Sequence, residues 1–192
     1  MLILVYFGWI DKKNRFIYAE PMIKIGERAA DFKLQGYFNG KFKDYSLKDF
    51  KNKWLVIFFY PLDFTFVCPT EIREFSKRSD EFKKLRAEVV GVSVDSIHSH
   101  KAWVEGPLGK IHFPLLSDFH KRMSEDYGVL LEDEGIALRG TFIIDPYGKV
   151  RYMVVSDNDV GRSVSETLRV VSALQTGKLC PVEWKPGKKT LN

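Results

Sequence analysis

The sequence predicts one α/β domain, a sheet with buried strands flanked by helices, and three observations carry that reading. Trp54 to Tyr60 (WLVIFFY) is an unbroken apolar run, as expected of a strand buried on both faces. A charged, periodic stretch follows, from Pro69 to about Ala87, and reads as a helix. Glu88 to Val94 then reads as a second core strand, and a hairpin and a last helix come later. Strand–helix–strand followed by hairpin and helix is the pattern of an α/β sandwich. With 192 residues, 45% hydrophobic and 14% aromatic, the chain can build a sizeable core and is not of disordered composition.

The elements follow in order. Phe32 to Gly36 and Lys41 to Tyr45 alternate around Asn39-Gly40, a hairpin signal, because a type I′ turn needs positive φ at both central residues. Ser46 to Asp49 reads as a short capped turn. Pro69 suits the first turn of its helix, where its missing N–H costs nothing. A helix is expected from about Ser96 to Glu105, stopped by Gly106-Pro107-Leu108-Gly109, then a short element at Pro114 to Leu116 and a helix near Asp118 to Tyr127. Thr141 to Asp145 and Lys149 to Val155 flank a turn at Pro146-Tyr147-Gly148. Ser163 to Gln175 is the last helix, with Gly177 as its stop. The expected division is an extension at 1–21, a domain at 22–176 and a C-terminal tail at 177–192. Met1 to Ile10 is apolar but too short to span a bilayer, and it lacks the basic start and cleavage pattern of a signal peptide.

Charge and cysteine count exclude several classes. The 30 Lys and Arg are interleaved with 25 Asp and Glu, as in Glu71-Ile72-Arg73-Glu74, so the net charge of +5 reads as a solvated surface and not a nucleic-acid face. Two cysteines are too few for a disulfide scaffold and fit a reducing, cytoplasmic compartment. His98, His100, His112 and His120 lack metal-ligand spacing, and His98-Ser99-His100 reads as ordinary polarity at a helix start.

One of the two cysteines, Cys68, lies where the loop after the first core strand becomes a helix. Backbone N–H groups and the positive end of the helix dipole converge there and stabilise a thiolate. The other, Cys180, comes 112 residues later (180 − 68) in a Pro-, Gly- and Lys-rich tail expected to be exposed. An activated thiol and a second thiol on a tail suit oxidation followed by capture as a disulfide. A Cys-x-x-Cys oxidoreductase is excluded, since position 71 is Glu.

Pro61, Thr65 and Cys68 form a Pro-x-x-x-Thr-x-x-Cys pattern that resembles the peroxidatic loop of the peroxiredoxins. The string through Glu71 and the Cys180-Pro181 pair are similar to the typical 2-Cys branch. So are Gly91-Val-Ser-Val-Asp95, Phe113-Pro114-Leu115 and Leu138-Arg139-Gly140-Thr141-Phe142. The resemblance implies a thioredoxin-like fold and a Cys68 that attacks peroxide to become a sulfenic acid. Arg139 would polarise the peroxide, Thr65 hydrogen-bond the reacting oxygens, Pro61 shield the pocket and Glu71 orient Arg139. Cys180 of a second subunit would resolve the sulfenic acid as an intersubunit disulfide. The implied partners are a hydroperoxide, thioredoxin or a flavoprotein disulfide reductase as electron donor, and further copies in a homodimer and a decamer of five dimers. No cofactor, metal, nucleic acid or membrane is implied. The alternative is an oligomeric holdase chaperone. The 12 residues after Cys180 contain no Tyr or Phe, unlike oxidation-sensitive members, so slow over-oxidation of Cys68 is expected.

Overall fold

A computed structural model describes residues 9–10, 16–17 and 23–191; the rest of the expected 1–21 extension lies outside the described residues. Strands β1 (Trp9–Ile10) and β2 (Phe16–Ile17) form a small antiparallel pair. Next come β3 (Lys33–Phe38), β4 (Lys41–Ser46), β5 (Trp54–Phe59), α1 (Cys68–Lys77), α2 (Ser79–Lys84), β6 (Ala87–Ser93) and α3 (Ile97–Glu105). The second half holds β7 (Leu115–Ser117), α4 (Arg122–Asp126), β8 (Leu130–Leu131), β9 (Ile136–Ala137), β10 (Arg139–Ile144), β11 (Val150–Ser156) and α5 (Val164–Gln175).

Seven strands form a mixed sheet in the order β11-β10-β5-β6-β7-β3-β4, with β5, β6 and β7 parallel and the other pairings antiparallel. The apolar run of β5 is explained by two cores. Val56, Phe58 and Tyr60 face one core with Cys68, Ile72, Phe75 and Val171, while Leu55, Ile57 and Phe59 face another with Met123, Tyr127 and Phe142. A period of two, with both faces covered, leaves no polar position in the strand. Where β6 runs between its neighbours β5 and β7 there is room only for glycine: a Cβ at Gly91 would lie 2.8 Å from both Leu115 Cδ2 and Phe58 Cζ. Gly91→Ala is therefore expected to cost about 1–3 kcal/mol, read as a lower denaturation midpoint in urea.

The β3–β4 hairpin turns at Asn39 (φ 50°) and Gly40 (φ 75°), as a type I′ turn requires. Two helices are shorter than the periodicity indicates. The expected helix over 69–87 breaks at Arg78 (φ −97°, ψ 13°), where the turn tightens to a bond from Glu81 N–H to the Arg78 carbonyl. Phe75 and Phe82 still stack on one side at 5.8 Å, so hydrophobic spacing passes over the break. The helix expected from Asp118 begins only at Arg122. The Asp118 carboxylate accepts from the Met123 and Ser124 N–H groups, and Lys121 takes a left-handed conformation. The β8–β9 pair was not anticipated, because two-residue strands carry no periodicity.

Candidate active site

Cys68 opens α1 and is fully buried. Pro69 in the first turn supplies a helical φ, and the Val67 carbonyl begins the ladder by accepting from Thr70 and Glu71. Glu71, one turn into the helix, is buried as well.

Arg139 reaches this helix start through the sheet. It is the first residue of β10, which runs antiparallel to β5 with Thr141 opposite Phe58, so the start of β10 meets the end of β5. Its Nη1 donates to Glu71 Oε2 at 2.7 Å and to Cys68 Sγ at 3.4 Å, and its Nε donates to the Asn158 carbonyl at 2.9 Å. Nη2 donates to no group among the described residues.

The structure adds a residue that spacing did not reveal. Arg162, just before α5, forks onto Glu71, with Nε on Oε1 at 2.9 Å and Nη2 on Oε2 at 2.8 Å. Its backbone N–H donates to Oε1 at 2.8 Å, and its Nη1 binds the carbonyls of Phe59 and Gly140. Burial works against charge on Glu71, but the hydrogen bonds and charge of Arg162, with Arg139, hold its carboxyl below the ordinary value. The local signal was Gly161-Arg162 at the entry of a helix capped by Ser163, whose hydroxyl accepts from Glu166 N–H. That pattern names a helix start but not the arginine's partner. On the peroxidatic role that the resemblance implies for Cys68, Arg162→Lys, which keeps the charge and loses the fork, should lower its rate with peroxide about 10²-fold in a folded protein, measured by stopped flow.

Of the other expected residues, Pro61 is buried in the loop after β5. Thr65 lies in non-helical backbone before α1, and its hydroxyl donates to the Leu62 carbonyl at 2.9 Å. The helical turn expected to carry it to the sulfur starts three residues later, at Cys68. His100 corrects the reading of surface polarity: it is fully buried, 2.8 Å from Asp63 Oδ2. His98 is exposed, against the ring of Phe42.

Cys180 is half-buried where an exposed tail was expected. Its Sγ lies 3.5 Å from Thr176 Oγ1 and 3.8 Å from the Ala173 carbonyl, at the end of α5. The tail folds back because Trp184 is buried, its carbonyl accepts from Arg169 and its indole N–H donates to the Lys188 carbonyl. α5 starts beside Glu71 and ends where Gln175 donates to Leu85, at the opposite end of the sheet. Twelve helical residues span about 18 Å, far beyond the roughly 4.4–6.8 Å between Cα atoms that a disulfide needs. The two thiols of one folded chain do not meet.

Comparison with known proteins shows the family and the fold. The AhpC/TSA family model matches residues 25–153. The chain is 54% identical over 177 residues to peroxiredoxin-2 of Macaca fascicularis, covering 88% of this chain and 89% of that protein. It is 53% identical over 176 residues to the mitochondrial thioredoxin-dependent peroxide reductase of Homo sapiens, covering 87% and 69%. Among solved structures, the reduced 2-Cys peroxiredoxin of Plasmodium vivax superposes with a TM-score of 0.84 at 40% identity, over 86% of this chain and 91% of that one. A thioredoxin-like sheet, a buried cysteine at a helix start and these likenesses make this chain a member of the AhpC/TSA family, the peroxiredoxins.

Proposed function

We propose that this chain is an antioxidant thiol peroxidase that reduces hydrogen peroxide and small alkyl hydroperoxides. The observation that carries the reading is the convergence of the helix start and Arg139 Nη1 on a buried sulfur, 3.4 Å from the guanidinium. The Cys68 thiolate attacks one peroxide oxygen, the O–O bond breaks, and the leaving oxygen takes a proton and departs as water or an alcohol. Negative charge grows on that oxygen, and Arg139 Nη2 is the donor still open to it. Pro61 and Thr65 border the same loop, in the roles of shield and hydrogen-bonding group. Cys68 is left as a sulfenic acid.

Cys180 of a second subunit then attacks that sulfur, releasing water and forming an intersubunit disulfide. The separation of the two thiols within one chain supports a partner's thiol. A homodimer is supported by β11, an edge strand that exposes Val154 and Val155. Phe64 and Phe66, the latter 96% exposed beside Cys68, offer apolar surface for joining five dimers into a decamer. A dithiol protein, thioredoxin or a flavoprotein disulfide reductase, returns the disulfide to two thiols; the name of the human relative supports a thioredoxin. The proposed location is the cytoplasm, and no helix among the described residues is long and apolar enough to cross a membrane. A holdase without thiol chemistry leaves the two arginines converging around Cys68 and Glu71 without a purpose.

The test is non-reducing mass spectrometry after one equivalent of hydrogen peroxide. The expected product is a covalent dimer near twice 22.2 kDa joined through Cys68 and Cys180, absent from Cys68→Ser and Cys180→Ser. A monomer carrying one oxygen on Cys68 would remove the resolving role of Cys180, and unreactive cysteines would remove the peroxidase reading.

A further inference from the structure

Beneath the Pro61–Thr65 loop lies a buried polar network that the peroxide chemistry does not itself use. The Asp63 backbone N–H donates to Asp95 Oδ2 at 2.8 Å, and the same oxygen accepts from Ser93 Oγ at 2.7 Å. Asp95 follows β6, and its own carbonyl accepts from Ser117 Oγ at 2.6 Å, which ties it to β7 as well. The Asp63 side chain is held separately. Its Oδ1 accepts from Tyr60 at 2.9 Å, and its Oδ2 accepts from Ser99 and faces His100 Nδ1, each at 2.8 Å. The His100 ring continues to the Leu116 carbonyl at 3.2 Å.

These contacts surround a backbone that is unfavourable by itself. Phe64, next to Asp63, sits at φ 57°, a left-handed conformation disfavoured for a bulky side chain and maintained only where the surroundings over-determine it. Its ring lies 5.7 Å from Trp103, and the Thr65 hydroxyl closes the turn on the Leu62 carbonyl. Of these restraints, the Asp95 carboxylate is the one that grips the backbone of the turn from the end of a core strand.

We propose that Asp95 is a positioning residue for the peroxide step, fixing the Pro61–Thr65 turn against Cys68 through the Asp63 N–H. Pro61 and Thr65 each stand two residues from Asp63, so a shift of that N–H moves both. Cys68 itself is held by α1, and Arg139 by Glu71 and Asn158, none of which depends on Asp95. Asp95 therefore governs how the pocket fits a peroxide, and not whether the sulfur is reactive. What the turn requires is an acceptor at that point, which an amide oxygen also provides.

The inference rests on the peroxidase reading of Cys68, and the test separates the two. Reduced wild type, Asp95→Asn and Asp95→Ala are each mixed with hydrogen peroxide and, separately, with iodoacetamide, and the consumption of Cys68 is timed. Alkylation needs the thiolate but not a pocket shaped for two oxygens. The alanine variant is expected to lose about 10- to 100-fold in the peroxide reaction, with alkylation changed less than about twofold. The asparagine variant is expected to stay within about threefold of wild type in both. Asp95→Ser, too short to reach Asp63, gives the same reading should the alanine variant not fold. An unchanged peroxide rate in alanine or serine overturns the inference, as does equal loss of both reactions or loss in asparagine. If wild-type Cys68 does not react with peroxide, the peroxidase reading falls instead.

Discussion

Cys68→Ser should abolish peroxide turnover, by about 10⁴-fold or more, while leaving the fold intact. The substitution exchanges Sγ for Oγ at a position packed among Tyr60, Ile72 and Phe75, so little volume changes. The chemistry does change. A serine hydroxyl stays protonated beside Arg139, and it lacks the polarisable sulfur lone pair that displaces a peroxide oxygen. Cys180→Ser is the contrast: one equivalent of peroxide should be consumed at the wild-type rate, after which turnover with a disulfide-reducing donor stops. Peroxide consumption followed over several turnovers distinguishes the two. If Cys68→Ser turns over normally, the active sulfur has been misassigned.

Glu71→Gln should be the most destabilising change in the site, by about 3–5 kcal/mol. One carboxylate accepts four hydrogen bonds from two guanidinium groups and one backbone N–H, and all three side chains are almost wholly buried. A neutral amide leaves two buried cations side by side and turns N–H donors toward donors. Urea denaturation at neutral pH measures the loss, and peroxide reactivity should fall with it as Arg139 loses its anchor.

The same carboxylate sets an acid limit on stability. Its folded pKa lies below the ordinary 4.5, so the pairing contributes fully above about that value and fades as pH falls through the folded value. Wild type should lose stability on acidification below about pH 4.5, and Glu71→Gln should show a flatter acid limb. Parallel slopes in the two proteins would mean that Glu71 is not the group responsible.

Legibility divided along the range of the interactions. The Asn39-Gly40 hairpin, the β5 strand and the start of α1 at Cys68-Pro69 could be read because each depends on its own dihedral preferences or on burial of one segment. The breaks at Arg78 and Lys121 could not, because they arise from single residues inside patterns that otherwise keep their period. Arg139 entered through family resemblance and not through spacing. Arg162 and the burial of His100 were missed, since a charged side chain announces no partner until the fold brings one near.

The sequence alone thus determined the α/β class, a thiol at a helix start and the presence of a second thiol, all properties of contiguous residues. Tertiary structure decided the rest. Antiparallel pairing of β10 with β5 delivers Arg139 to Cys68 across 71 positions (139 − 68), and the length of α5 separates Arg162, before its start at one end of the sheet, from Cys180, beyond its end toward the other. Those placements depend on strand register and helix direction, which are set by packing two cores on one sheet and are written in no single stretch of chain.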